Sequence, residues 1–145
     1  MFEVILTILI GTLGGIAVGI QSPMAGIMSQ RIGGAASSFV VHVSGTILSA
    51  ILLLARGGEQ IQNWRSLSWY MWGIGLFGVV LYLTISHTIP RLGATTAIAL
   101  IIIGQLVTGM VIDQFGFFGM PIRSVDGGKI VAALLLIAGG YLMIR

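Results

Sequence analysis

The chain contains no cysteine and very little charge. Only 8% of its 145 residues are charged, whereas 57% are hydrophobic, and the mean hydropathy is +1.07. Soluble domains carry about 25% charged residues, so this chain lacks the polar surface that a globule in water needs. The absence of cysteine excludes disulfides and cysteine-based metal or redox chemistry. The composition therefore indicates a protein whose solvent is the lipid bilayer, and the net charge of +3 gives no support for nucleic-acid binding.

The sequence also lacks the motifs of common enzyme classes. It contains no GxSxG, no HExxH and no Walker sequence. Two histidines on different segments and one aspartate inside the apolar segments do not make a metal site. We therefore predict a protein that is not an enzyme, that uses no cofactor or metal, and that does not hydrolyse ATP by itself.

Five apolar segments of about 20 residues each dominate the sequence. They cover approximately residues 4–28, 36–55, 69–87, 94–114 and 127–144. Within a bilayer each backbone polar group must be satisfied internally, so these segments are predicted to be helices. The predicted fold is an all-α membrane protein in which residues 1–145 form a single domain of five transmembrane helices.

Positive charge is almost evenly divided between the two sides of the predicted bundle. One side carries Arg56, Arg65, Arg123 and Lys129, and the other carries Arg31, Arg91 and Arg145. A fixed orientation usually shows a clear excess of positive residues on the cytoplasmic side. The near balance favours insertion in both orientations, although one weak bias could still fix a single one. A half-length chain inserted both ways can build an inverted-repeat transporter of ten helices as an antiparallel homodimer.

Polar side chains recur inside the apolar segments, where they are costly and usually face protein or a water-filled cavity. The predicted substrate cavity consists of Gln21, His42, Tyr82, Gln105 and Asp113. Both glutamines could instead bond a neighbouring helix. His42 could be a neutral histidine bonded to a backbone carbonyl, or it could carry a transport proton, since histidine titrates near physiological pH. Asp113 could be only an acid at the membrane interface. Because no carboxylate lies near the midplane, the pattern favours a neutral, zwitterionic or amphipathic solute.

Glycine and proline suggest where helices pack and bend. Small residues let membrane helices approach closely, and the predicted packing positions are Gly11, Gly15, Gly19, Gly104 and Gly109. Pro23 removes a backbone donor and clashes with the carbonyl four residues earlier. We therefore predict a hinge at Pro23, and we predict that Pro90 ends the third helix.

Several stretches of the sequence carry a resemblance to a known family. "PRLGA" is followed by "GQLVTGMVIDQFG" and a glycine-rich last segment, and the N-terminal half contains "GIQSPMAGIM" and "FVVHVSGT". Together they resemble the YdcZ-like five-helix family of the drug/metabolite transporter superfamily. The positions that match the family are Gln21, Pro23, Gly104, Gln105, Asp113, Phe115 and Gly116. One departure is Ala25, which stands where the family often has asparagine.

The resemblance implies a multi-pass protein of the bacterial inner membrane that pairs with an inverted copy of itself or with a homologous five-helix partner. The leading hypothesis is a secondary transporter of a small solute, driven by a gradient or by exchange. The alternative is a non-transporting scaffold or regulatory subunit of a larger complex, which would need neither a polar cavity nor an inverted partner.

Overall fold

The computed structural model describes residues 1–144, so Arg145, which enters the charge count above, lies outside the described residues. Five long helices follow one another along the chain: α1 (Phe2–Ile32), α2 (Gly34–Ala55), α3 (Ile74–Leu92), α4 (Ala94–Phe115) and α5 (Gly127–Ile144). Short 3-10 turns occupy Ile61–Ser66, Trp69–Gly73 and Phe117–Gly119. Within residues 1–144 there is no strand, and five helical spans are long and apolar enough to cross a membrane. The predicted all-α, five-span fold is confirmed.

The first helix is longer than the sequence predicts. It runs for 31 residues and continues through Pro23, which corresponds to about 46 Å at 1.5 Å per residue. Since the hydrocarbon core of a bilayer is about 30 Å thick, α1 must tilt or extend beyond it. The helix does not end at Pro23, and the hinge at that position stays a prediction.

The third helix differs from its predicted bounds at both ends. It begins at Ile74 rather than at residue 69, because Trp69–Gly73 forms a 3-10 turn. It also continues past Pro90 to Leu92, so the prediction that Pro90 ends the helix is wrong. Pro90 cannot donate to the carbonyl of Ser86, but the Ser29 hydroxyl, which donates to the Gly26 carbonyl over 2.8 Å, also lies 3.4 Å from that oxygen. A hydroxyl from α1 thus lies within reach of the carbonyl that Pro90 leaves without a backbone donor.

Two one-residue links repeat the same local geometry. Gly33 joins α1 to α2 with φ 86° and ψ 154°, and Gly93 joins α3 to α4 with φ 78° and ψ 162°. Such positive φ values are open to glycine and strained for other residues. Each glycine follows an arginine and a β- or γ-branched aliphatic residue, in "RIG" and "RLG". The short links require glycine at both positions.

Residues Met1–Pro90 and Arg91–Arg145 form two compact units, each of which is described by itself. In the first unit α1 and α2 run antiparallel, because Gln21 and Gly45, equally far from the Gly33 link, line one cavity. The second and third helices are also antiparallel, since Gly34 lies beside Leu83 whereas His42 lies beside Gly78.

The core of the first unit lies at one end of these three helices. The buried residues are Ser22, Ala25, Gly26, Ser37, Ser38, Tyr82 and Ile85. They belong to the C-terminal half of α1, the N-terminal half of α2 and the middle of α3. Residues 2–18 of α1 are exposed throughout. The three helices therefore pack together towards one end and leave the N-terminal half of α1 without a partner in the first unit.

In the second unit α4 and α5 pack antiparallel. The hydroxyl of Thr96, near the start of α4, donates to the carbonyl of Met143, near the end of α5, over 3.1 Å. A Cβ on Gly140 would lie 2.5 Å from the Ile103 Cδ1, so the two helices touch closely there. The loop between them is fixed at its α5 end, where the Asp126 carboxylate accepts a bond from the backbone N–H of Lys129 at 2.8 Å. This is a helix N-cap.

Candidate functional site

A cavity of about 560 Å³ lies between α1, α2 and α3, and we call it the α1–α3 cavity. Its lining residues are Gln21, Ser22, Ala25, Val41, His42, Gly45, Thr46, Ser49, Gly78, Leu81, Tyr82 and Ile85. The volume falls within the 300–1,000 Å³ range that is typical of small-molecule sites. Three of the five predicted cavity residues, Gln21, His42 and Tyr82, line this one space, so the structure brings them together.

His42 is held in one orientation by its own helix. Its Nδ1 lies 2.7 Å from the carbonyl oxygen of Ser38 and 3.3 Å from the Ser38 hydroxyl. Because a carbonyl can only accept a hydrogen bond, Nδ1 carries the proton and Nε2 of the neutral ring keeps its lone pair. The carbonyl bond expected for a structural histidine is therefore present, and the Nε2 lone pair can accept a hydrogen bond.

The face of α3 opposite His42 is shaped to receive the imidazole. A Cβ on Gly78 would lie 3.2 Å from Nε2 of His42, which is tighter than most side-chain contacts. The ring of Tyr82 meets the imidazole edge-on, with 6.1 Å between the ring centroids and 67° between the ring planes. Aromatic pairs prefer this arrangement. Gly78 and Tyr82 together fix the position of His42 at the wall of the cavity.

The hydroxyl of Tyr82 is the most unusual group of the cavity. Tyr82 is only 4% exposed, and its hydroxyl has no hydrogen-bond partner among the described residues. The hydroxyl of Ser86, one turn further along α3, is also buried without a partner. Buried polar groups in folded proteins are nearly always hydrogen-bonded. The Tyr82 hydroxyl, at the wall of the cavity, is therefore a group that a hydrogen-bonding solute or water would satisfy.

The α1–α3 cavity carries no formal charge. None of its twelve lining residues is aspartate, glutamate, lysine or arginine. An isolated ion placed in such a space would lack the paired charge that buried ions need. Amide, hydroxyl and imidazole groups instead offer hydrogen bonds to an uncharged or internally balanced solute.

The remaining two predicted cavity residues lie in the second unit. Gln105 and Asp113 line a groove of about 520 Å³ between α4 and α5, which we call the α4–α5 groove. Lys129 lines the same groove. The sequence reasoning assigned Lys129 only to the count of topology charges and missed this placement. The Asp126 cap was a signal that could have located it, because it places Lys129 in the first turn of α5.

The predicted packing glycines show no close contact within the described chain. A Cβ would meet nothing within 4 Å at any of them, namely Gly11, Gly15, Gly19, Gly104 and Gly109. Their packing role stays a prediction. Close glycine contacts between the long helices occur instead at Gly26, where a Cβ would lie 2.8 Å from the Ile89 Cγ2, and at Gly78 and Gly140.

Five apolar spans, three of which line an uncharged polar cavity, define a polytopic membrane protein. Residues 6–142 match the family described as "Putative inner membrane exporter, YdcZ", and the chain belongs to this family. A relative in Escherichia coli (strain K12), "Inner membrane protein YdcZ", is 29% identical over 124 residues, which cover 73% of this chain and 80% of the relative. No solved structure is similar enough to count as a match. The predicted family and the multi-pass inner-membrane location are confirmed.

Proposed function

We propose that the chain is a secondary transporter of a small neutral, zwitterionic or amphipathic solute, driven by a gradient or by exchange. The observation that carries the proposal is the α1–α3 cavity, with its uncharged polar lining and the orphaned hydroxyl of Tyr82. A buried hydroxyl without a partner costs about 1–3 kcal/mol. A solute that forms a hydrogen bond with this hydroxyl would offset the cost, which favours binding of the solute in the cavity.

We further propose that the working unit is an antiparallel homodimer of chains inserted in both orientations. The count of four positive residues against three supports dual insertion. The exposed N-terminal half of α1, residues 2–18, supports a second copy as its partner, because Gly11 and Gly15 leave a flat surface there. Two inverted copies would give the ten-helix arrangement in which transporter sites lie between repeats.

Thermal denaturation of the purified full-length protein in detergent tests the binding step. A panel of neutral, zwitterionic and amphipathic solutes is screened, since a ligand at 100 times its Kd stabilises the folded state by about 2.7 kcal/mol. We expect at least one class of solute to raise the Tm, and we expect Gln21→Leu to abolish the shift. Gln62→Leu, which changes an exposed amide in the 3-10 turn outside the cavity, is the matched control.

One outcome would count against the α1–α3 cavity as the binding site, and another would count against the transporter function. A solute shift that persists in Gln21→Leu would place the binding site outside the α1–α3 cavity. Failure of every solute class, together with co-purification of a larger complex, would favour the scaffold or regulatory subunit instead.

The absence of cysteine allows a clean test of orientation. A single cysteine is introduced at Gln62, between α2 and α3, or at Gln30, near the end of α1. Intact cells are then treated with a membrane-impermeant maleimide. Dual insertion predicts that about half of the chains are labelled at each site, following the balanced charges. Labelling of one site only would contradict the antiparallel homodimer and leave the binding proposal standing.

A further inference from the structure

The α4–α5 groove is elongated along α4, with charged residues at one end only. Its floor is one face of α4, with residues at three- and four-residue spacing: Ile102, Gln105, Leu106, Gly109, Met110 and Asp113. From Ile102 to Asp113 the groove extends about 16 Å along the helix axis. Apart from Gln105, the residues along most of its length are apolar, whereas Asp113 and Lys129 stand at one end. This division matches an amphiphile with a charged head and an apolar tail.

The two charges at the head of the groove are close to each other in the fold but do not pair. Asp113 is the third residue from the C-terminal end of α4, and Lys129 is the third residue of α5. Both are half-buried, and among the described residues no ion pair joins them. The ammonium of Lys129 instead donates to the carbonyl of Ser124 over 3.2 Å.

The Asp113 carboxylate has no protein partner in the described part of the chain, although its backbone carbonyl accepts the N–H of Arg123 at 2.8 Å. Partly buried charges are costly unless an opposite charge and hydrogen bonds accompany them. A ligand that carries both signs would satisfy Asp113 and Lys129 at once. A ligand with one sign would leave one of them without a partner.

We propose that the α4–α5 groove binds a zwitterionic aminophospholipid. Its primary ammonium lies at Asp113, its phosphate lies at Lys129, and one acyl chain follows Leu106 and Ile102. A primary ammonium is favoured over a quaternary one because a carboxylate accepts charge-assisted N–H bonds. The site is independent of the proposed transport of a solute through the α1–α3 cavity.

The direct test is native mass spectrometry of the full-length protein released from lipid nanodiscs. One set contains phosphatidylethanolamine with phosphatidylglycerol, and the other contains phosphatidylcholine with phosphatidylglycerol. We expect phosphatidylethanolamine to be retained about tenfold more than phosphatidylcholine. Phosphatidylcholine has no N–H donor, and losing one hydrogen bond to a charged group lowers affinity by about this factor. Asp113→Asn and Lys129→Gln should each remove most of that preference.

A matched control leaves the groove untouched. Arg56 and Glu59 form an exposed ion pair with an N–O distance of 3.2 Å, in the loop after α2. Arg56→Gln and Glu59→Gln remove the same charges as the groove variants and should leave lipid retention unchanged. If a groove variant fails to fold, the lipid is varied instead on the unmodified chain. Retention should then fall stepwise as one, two and three methyl groups replace the headgroup N–H donors.

Three results would overturn the proposal. Equal retention of phosphatidylethanolamine and phosphatidylcholine would show that Asp113 does not bind the N–H donors of the headgroup. Preferential retention of phosphatidylglycerol, lost only in Lys129→Gln, would make the groove an anion site. Loss of a dimer, rather than of lipid, in Asp113→Asn would mean that a second copy of the chain fills the groove.

Discussion

Replacing Tyr82 with phenylalanine should have opposite effects on stability and on binding. The change deletes one hydroxyl and keeps the ring that packs edge-on against His42. In the ligand-free protein this hydroxyl is buried without a partner, so its removal relieves part of a desolvation cost of about 1–3 kcal/mol. We expect Tyr82→Phe to stabilise the ligand-free protein by about 1 kcal/mol, which corresponds to a rise in Tm of about 2–4 °C.

The same substitution should weaken binding of any solute found in the thermal screen. A hydrogen bond from the solute to the Tyr82 hydroxyl contributes about 0.5–1.5 kcal/mol, so the Kd should rise by about twofold to thirteenfold. The Tm without solute and the solute-dependent shift are measured on the same preparation. Their changes are expected to have opposite signs, which a merely structural hydroxyl would not produce.

Thr84→Val is the control on the same helix. The Thr84 hydroxyl is exposed and donates to the carbonyl of Val80 over 2.9 Å, so its loss should change neither solute affinity nor the sign of the Tm response. The reasoning would be refuted if Tyr82→Phe destabilised the ligand-free protein by 1 kcal/mol or more, because the hydroxyl would then have a favourable partner in the absence of solute.

Three further predictions concern the histidine and the glycine contacts. In ¹⁵N NMR of the histidine-labelled protein, neutral His42 should show the tautomer with the proton on Nδ1, and a proton on Nε2 would contradict the assigned hydrogen bond. Gly26→Ala should destabilise the fold by about 1–3 kcal/mol, because its Cβ would lie 2.8 Å from the Ile89 Cγ2. Adding Ile89→Leu, which removes that methyl group, should restore part of the lost stability. Purely additive effects of the two substitutions on the free energy of unfolding would count against the contact. Gly15→Leu should lower the dimer fraction in chemical crosslinking, whereas Ala17→Leu, on the opposite face of α1, should not; equal effects would exclude the glycine face as the interface.

The broad architecture follows from sequence because the bilayer leaves few options. An apolar segment of about 20 residues must satisfy its own backbone, so each one becomes a helix. The grouping of Gln21, His42 and Tyr82 was likewise accessible, since polar groups in lipid turn towards one another or towards a cavity. The structure confirms the five spans and places these three residues around one space.

What failed depended on partners that are distant in sequence. Pro90 was expected to end α3, but the Ser86 carbonyl that it leaves without a backbone donor is reached by the Ser29 hydroxyl, 57 residues away. Lys129 was read as a topology signal, whereas the packing of α5 on α4 places it in a groove with Asp113. Neither contact has a local pattern in the sequence, because each depends on which helices become neighbours.

The claim that the α1–α3 cavity carries a transported solute is tested most directly by counterflow in proteoliposomes. Vesicles containing the full-length protein are loaded with the solute identified by thermal shift, and uptake of the radiolabelled solute from outside is measured. The account predicts exchange by the unmodified protein and by Thr84→Val, with strongly reduced exchange by folded Gln21→Leu. Solute binding without any exchange would contradict transport, and undiminished exchange by Gln21→Leu would contradict the α1–α3 cavity as its route.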